Sequence, residues 1–329
     1  MPAPLAVALG DPAGIGPEIV AKCWERREAM GLPPFFAVGD CEAVAAVWQG
    51  PVEAISEPGE AERCFGRAFP VLKVPGRQRP TPGAPDLDGA RNALDSLEIA
   101  VGLTRSGAAG GLVTGPVSKS QLYAIGFVHP GQTEFVAERC GVACDLVAMM
   151  LVGPDLKTIP VTVHVPIRDV PEGLTAEKII LKTRATVRGL QRQFGIEQPK
   201  IAVAGLNPHA GEDGAIGREE MDVIVPAIDR LREEGMDVTG PYPADTMFHA
   251  SARAQYDAAI CMYHDQALLP LKTLYFDQGV NMTLGLPIVR TSPDHGTAFA
   301  IAGKNEAHPG AMMAAIQTAA AAAERIAQG

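Results

Sequence analysis

Three of the seven histidines in this 329-residue chain stand just past short apolar runs. Residues 158–163 lead into His164, 201–205 lead into Asn207-Pro208-His209-Ala210-Gly211-Glu212, and the apolar stretch that starts at Ala258 leads into His264-Asp265-Gln266. Continuous apolar runs of this length suit buried strands of a parallel sheet. In open α/β sheets ligands bind beyond the carboxyl ends of the strands, so all three histidines fall where chemistry is done. A single histidine at a strand end is more often a hydrogen-bonded structural residue than a ligand, but three in the same relative place can converge on one point. Their separation by tens of residues excludes a local zinc finger and suits a catalytic centre assembled from loops. Three neutral imidazoles leave coordination positions open for substrate or water, and they favour zinc, cobalt, nickel or iron over magnesium. Asp265 reads as a carboxylate that orients an imidazole, as a base, or as a helix N-cap.

The elements that must position these residues alternate along the whole chain. A strand at 5–9 enters Gly10-Asp11-Pro12-Ala13-Gly14-Ile15-Gly16-Pro17-Glu18 and then a helix whose apolar face carries Ile19, Val20, Cys23 and Trp24. Pro17 suits a first helical position, and the glycines permit a tight turn. Their order is not that of the dinucleotide fingerprint, so no residues are assigned to the nicotinamide. Strands are expected at 35–38, 52–55, 71–74 and 110–113, with helices at 42–48 and 88–104. The segment from Thr114 to Ser120 reads equally as a phosphate cradle and as a capped turn with a solvated lysine. Gly131-Gln132-Thr133-Glu134 opens another helix. Strands follow at 146–152, 157–163 and 201–205, a Thr175-capped helix runs to about 194, and 218–234 is amphipathic with a break at Pro226. Another short segment at 279–285 follows the central strand, and an alanine-rich helix at about 309–327 closes the chain. The class is α/β with a largely parallel sheet.

With 47% apolar and 20% charged residues the composition is that of a globular protein. No apolar run approaches a membrane span, and the first residues lack the pattern of a signal peptide, so a cytoplasmic location without membrane contact is expected. A net charge of -10 argues against nucleic acid as a partner. It leaves room for an anionic substrate, since a few local cations and backbone N–H groups suffice for one phosphate. The six cysteines form no Cys-x-x-Cys pair and read as reduced thiols.

Six segments in order carry a family resemblance: residues 10–18, Val-Thr-Gly-Pro-Val-Ser-Lys at 113–119, Asn-Pro-His-Ala-Gly-Glu at 207–212, Pro-Ala-Asp-Thr at 243–246, Tyr-His-Asp-Gln at 263–266 and Arg-Thr-Ser-Pro-Asp-His-Gly-Thr at 290–297. Together the chain resembles the 4-hydroxythreonine-4-phosphate dehydrogenase family of pyridoxal phosphate biosynthesis. The resemblance implies an isocitrate and isopropylmalate dehydrogenase-like fold of two α/β/α domains with a cleft between them. It implies a first domain of 1–127 with 283–329, a second of 128–282 carrying the metal ligands and the dimer interface, and a homodimer whose partner completes each active site. It further implies one divalent ion (zinc, cobalt or magnesium) on His164, His209 and His264, and substrate contacts from Gln132, Thr133, Lys272, Asn281 and Arg290. Gln132 departs from the family's Gly-His-Thr-Glu pattern. The implied reaction oxidises the small phosphorylated amino acid 4-phosphooxy-L-threonine with NAD, NADP being the alternative, and the 2-amino-3-oxo acid formed loses carbon dioxide to give 3-amino-2-oxopropyl phosphate. Asp245, Asp265 and Lys272 are the candidates for proton transfer and ligand orientation. A dehydrogenase of a threonate or erythronate phosphate, an acyltransferase acting on phosphate, and a binding protein without turnover are the competing readings.

Overall fold

In the computed structural model, which describes residues 2–74 and 80–328, the chain forms two compact units: Met1–Gly141 with Pro287–Gly329, and Val142–Leu286. The first contains β1 (Leu5–Ala8), β2 (Phe35–Gly39), β3 (Val52–Ile55), β4 (Phe69–Lys73) and β5 (Leu112–Thr114). The second contains β6 (Ala148–Val152), β7 (Lys157–Pro160), β8 (Lys200–Ala204), β9 (Asp237–Tyr242), β10 (Ala258–Cys261) and β11 (Val280–Leu284). The chain then returns to the first unit for β12 (Arg290–Pro293).

Strands of the first unit lie in the order β3-β4-β2-β1-β5-β12, all parallel. Every residue of β1 and β2 is buried, as unbroken apolar runs covered on both faces require. The helix Gly16–Glu25 starts with its proline in the first turn. Gly16 is required there by close approach, since a Cβ would lie 2.0 Å from the Leu9 carbonyl oxygen. The closing helix Gly310–Gln328 buries Ala311, Met312, Ala315, Ile316, Ala319, Ala322 and Ala323, and Thr291 Oγ1 donates to the Ala315 carbonyl at 2.9 Å. Its small side chains therefore serve close packing inside this unit.

Strands of the second unit lie in the order β11-β6-β7-β10-β8-β9. β7, β10, β8 and β9 are parallel, whereas β6 runs antiparallel to both β7 and β11. All four residues of β10 are inaccessible to solvent, which makes it the centre of this unit's core. The long helix Ala176–Phe194 is capped by Thr175 and ends at Gly195, whose φ of 70° is the left-handed conformation a C-terminal cap requires. In the amphipathic stretch before β9, Pro226 has no N–H to give to the preceding turn, and the chain forms a π-turn at Glu220–Ile224 before the helix Val225–Glu233.

The first crossing between units falls after residue 141, later than the 127 expected from sequence. The helix Gln132–Arg139 stays with the first unit because Arg139 Nε pairs with Glu98 at 2.8 Å and Gln132 Nε2 donates to the Gly115 carbonyl at 3.0 Å. The return crossing falls at 286/287, against the expected 282/283.

Candidate active site

Parallel pairing sets Cys261 beside Pro160 and Ile260 beside Val203, so β7, β10 and β8 end at one edge of their sheet. Beyond that edge a chain of hydrogen bonds ties the three loops together. Thr162 donates to the Met262 carbonyl from both its N–H, at 3.2 Å, and its hydroxyl, at 2.8 Å. Gln266, buried, accepts from the Met262 N–H at 2.7 Å and donates to the Gly205 carbonyl at 2.8 Å. Glu220, also buried, accepts from the N–H groups of Leu206 and Asn207 at 2.7 and 2.8 Å. His164, His264 and His209 each stand two residues beyond one of these anchored positions, Thr162, Met262 and Asn207 respectively.

Two of the three histidines meet. The rings of His164 and His264 have centroids 5.8 Å apart, in a depression lined by Thr162, Val165, Tyr263 and Asp265. Imidazoles sharing one metal at about 2.1 Å would have centroids roughly 5 Å apart, so this pair is close to a ligating arrangement. His209 stands apart, and among the described residues no three His, Cys, Asp or Glu side chains form a complete metal cluster. In the backbone beyond Asn207, His209, Ala210, Gly211, Glu212 and Asp213 form a left-handed turn with φ between 42° and 82°. Left-handed conformation costs an L-residue roughly 1–2 kcal/mol, and only Gly211 of the five escapes it. His164 is also left-handed, with φ 51°. Strain of this kind collects at functional sites, where the surrounding structure over-determines it.

The donor chemistry fits a divalent ion. His264 Nδ1 lies 2.7 Å from Asp265 Oδ1 and His209 Nδ1 lies 2.7 Å from Glu212 Oε1. A carboxylate on Nδ1 fixes the tautomer with its proton there and leaves Nε2 as the lone-pair donor, the arrangement metal-binding histidines use. The Glu212 hydrogen bond, then its charge, and then the charge of Asp245 raise the His209 pKa above the ordinary imidazole value of 6.5. That places Asp245, exposed in the turn Ala244–Thr246, within electrostatic reach of His209. Lys272, half-buried, is on the same helix as His264, His264–Tyr275, about 12 Å further along its axis. Asn281 in β11 keeps its Oδ1 shielded from solvent and without a hydrogen-bond partner.

Gln132, Thr133 and Arg290 belong to the first unit. Arg290 is 3% exposed; its Nη2 donates to Thr114 Oγ1 at 2.8 Å and its Nη1 to Thr133 Oγ1 at 3.4 Å. Burial pulls its pKa down to about 10, with the Glu134 charge opposing, so the guanidinium keeps its proton at neutral pH. Gly131, the N-cap of the helix Gln132–Arg139, offers no side-chain acceptor, so no side-chain cap takes up the first-turn N–H groups beside Thr133. Gln132 turns its amide N–H into its own unit. Its Nε2 is held by the Gly115 carbonyl, and Oε1 is left shielded and unpartnered. Reversing the amide would set two acceptors against each other, so the chain presents an acceptor here. Ser118 caps the short helix Lys119–Ala124 and Lys119 is exposed, which favours the capped-turn reading of that segment.

Sequence reading missed the anchoring roles of Gln266 and Glu220. Glu220 did leave a signal: it continues the stripe of Ile224, Ala227, Ile228 and Leu231, all buried, so its carboxylate is on the apolar face of the amphipathic segment.

A family model described as pyridoxal phosphate biosynthetic protein PdxA matches residues 34–319. A protein of Zymomonas mobilis named 4-hydroxythreonine-4-phosphate dehydrogenase is 57% identical over 317 residues, which cover 96% of this chain and 95% of the relative. A protein of the same name from Erythrobacter litoralis is 52% identical over 98% of this chain and 97% of its own. Among solved structures, the 4-hydroxythreonine-4-phosphate dehydrogenase of Klebsiella pneumoniae superposes with a TM-score of 0.88 at 36% identity and 98% coverage of both chains.

Replacing the carboxylate beside His209 tests the geometry of that pair. In Glu212→Gln the His209 titration, followed by NMR, is expected to fall toward the ordinary imidazole range, because the charge that favours imidazolium is gone. An unchanged titration would show that the pair does not form in solution.

Proposed function

This chain belongs to the PdxA family of pyridoxal phosphate biosynthetic proteins, and on that premise we propose that it is a 4-hydroxythreonine-4-phosphate dehydrogenase. It oxidises the secondary alcohol of 4-phosphooxy-L-threonine to 2-amino-3-oxo-4-phosphooxybutanoate, and loss of carbon dioxide gives 3-amino-2-oxopropyl phosphate. NAD, with NADP as the alternative, takes the two electrons as hydride. The observation that carries the reading is the His164 and His264 pair at the ends of parallel strands, with a carboxylate behind His264.

His164, His209 and His264 are the residues that would hold the divalent ion (zinc, cobalt or magnesium). Bound there, the ion supplies Lewis acidity to the substrate oxygens in a reaction that needs an acidified hydroxyl and then a polarised ketone. Asp265 and Glu212 hold the Nδ1 protons of their histidines, and Asp245 and Asp265 are exposed carboxylates able to take the hydroxyl proton. Arg290 and Thr133, with the first-turn N–H groups beside them, bind an anionic group of the substrate, and Lys272 and Asn281 contribute a cation and an amide. Gln132 orients the turn through Gly115 and offers Oε1 to a donor on the substrate. The free cysteines suit a reducing cytoplasm.

We assign the working form as a homodimer that completes each active site. The support is apolar surface on the second unit: Ile167, Leu269 and Phe276 are 69%, 63% and 76% exposed. Sedimentation is expected to show a dimer; a monomer with full activity would remove this part of the reading.

Turnover of metal-loaded protein against a small panel tests the reaction. NADH is expected to form with 4-phosphooxy-L-threonine at a kcat/KM at least about tenfold above that with threonate or erythronate 4-phosphate. The reason is that a polar group of the site left unpaired by the analogue costs roughly 1–3 kcal/mol, and about 1.4 kcal/mol is already tenfold. Preference for a phosphorylated acid without the amino group would reassign the substrate. Absence of NADH with every member, together with acyl transfer to phosphate, would reassign the class.

A further inference from the structure

We infer that Glu220 is a positioning residue for His209. The inference rests on the metal-site reading above and goes beyond it by naming the group that sets the one histidine standing apart.

Glu220 is 3% exposed and spends its carboxylate on a single loop. Oε1 accepts from the backbone N–H groups of Leu206 and Asn207, and Oε2 accepts from Asn207 Nδ2 at 2.9 Å. The same Nδ2 reaches Glu219 Oε2 at 2.7 Å. Three glycines clear the space for this lock. A Cβ at Gly211 would lie 2.6 Å from Glu220 Oε2, one at Gly217 would lie 2.3 Å from Asn207 Nδ2, and one at Gly205 would lie 3.1 Å from Glu220 Oε1. Asn207 stands two residues before His209, where the strained run begins, and its carbonyl accepts from the Ala210 N–H at 3.1 Å, closing the turn that carries His209. The direction in which His209 leaves the sheet edge is thus set at Asn207, and Asn207 is held on its N–H and its amide by Glu220.

A carboxylate is needed because all three partners are donors. Glutamine, equal in size, would keep one oxygen for the backbone N–H groups but turn an NH₂ toward the Asn207 NH₂. Glu220 touches neither substrate nor reacting atoms, so its effect must pass through His209. A general structural role would instead weaken the protein without regard to that side chain.

The test is cobalt(II) titration of the metal-free protein by calorimetry, with circular dichroism to confirm that each variant is folded. Glu220→Gln is expected to weaken cobalt binding at least tenfold, as is His209→Ala. In the double variant the two losses should not add, since both remove the same ligand. Cobalt affinity unchanged in Glu220→Gln, or losses that multiply in the double variant, would overturn the inference while leaving the metal site standing. Affinity unchanged in His209→Ala would overturn the metal reading beneath it. Should Glu220→Gln fail to fold, Asn207→Ala removes the amide shared by Glu219 and Glu220 while leaving both backbone bonds to Glu220 Oε1, and the same cycle with His209→Ala decides between coupled and additive losses.

Discussion

The constraint on which the rest depends is the register of three parallel strands. β7, β10 and β8 lie side by side with their carboxyl ends level, because Cys261 pairs with Pro160 and Ile260 with Val203. A shift of one residue in either pair would carry the strand's side chains to the opposite face of the sheet and move the start of the following loop along the edge. The register is held by burial: all of β10 is inaccessible to solvent, as are Ile159 and Val203 in its two neighbours. Three sequence-distant loops leave one sheet edge by consequence of this pairing, and His164 and His264 become neighbours there.

Side chains then carry that order past the last strand hydrogen bond. Thr162, Gln266 and Glu220 bridge from loop to loop, and each spends buried polar atoms on backbone groups that would otherwise be unsatisfied. A buried carboxylate accepting several N–H bonds is a strong local constraint because leaving those donors unpaired is costly. Such anchoring is what lets His164 and His209 occupy left-handed backbone, a conformation that free loops of L-residues avoid. The first unit shows the same logic, with a buried guanidinium kept in place by the hydroxyls of Thr114 and Thr133.

Much of this was legible in sequence, and the part that was not has physical reasons. Continuous apolar runs announced β1, β2, β8 and β10, and the polar triplet after the last of them marked the start of the helix that carries His264. β9 was missed because it is an edge strand interrupted by Gly240-Pro241, without an apolar run to mark it. The position of His209 was hidden because a left-handed turn with one glycine in five has no compositional signature. The direction of Gln132 was hidden because it depends on a carbonyl at Gly115, seventeen residues earlier in the chain. The small side chains of the closing helix find their explanation in packing within its own unit, where Ala315 and Ala319 are buried and the Ala315 carbonyl accepts from Thr291 of β12.

The central claim is that three loops leaving one sheet edge build one metal centre. A crystal structure of the protein grown with cobalt(II), with anomalous scattering to locate the ion, tests it most directly. The account predicts one ion bound by the Nε2 atoms of His164, His209 and His264, with Asp265 and Glu212 still on the Nδ1 atoms. An ion held by His164 and His264 while His209 stays apart on its turn would contradict it.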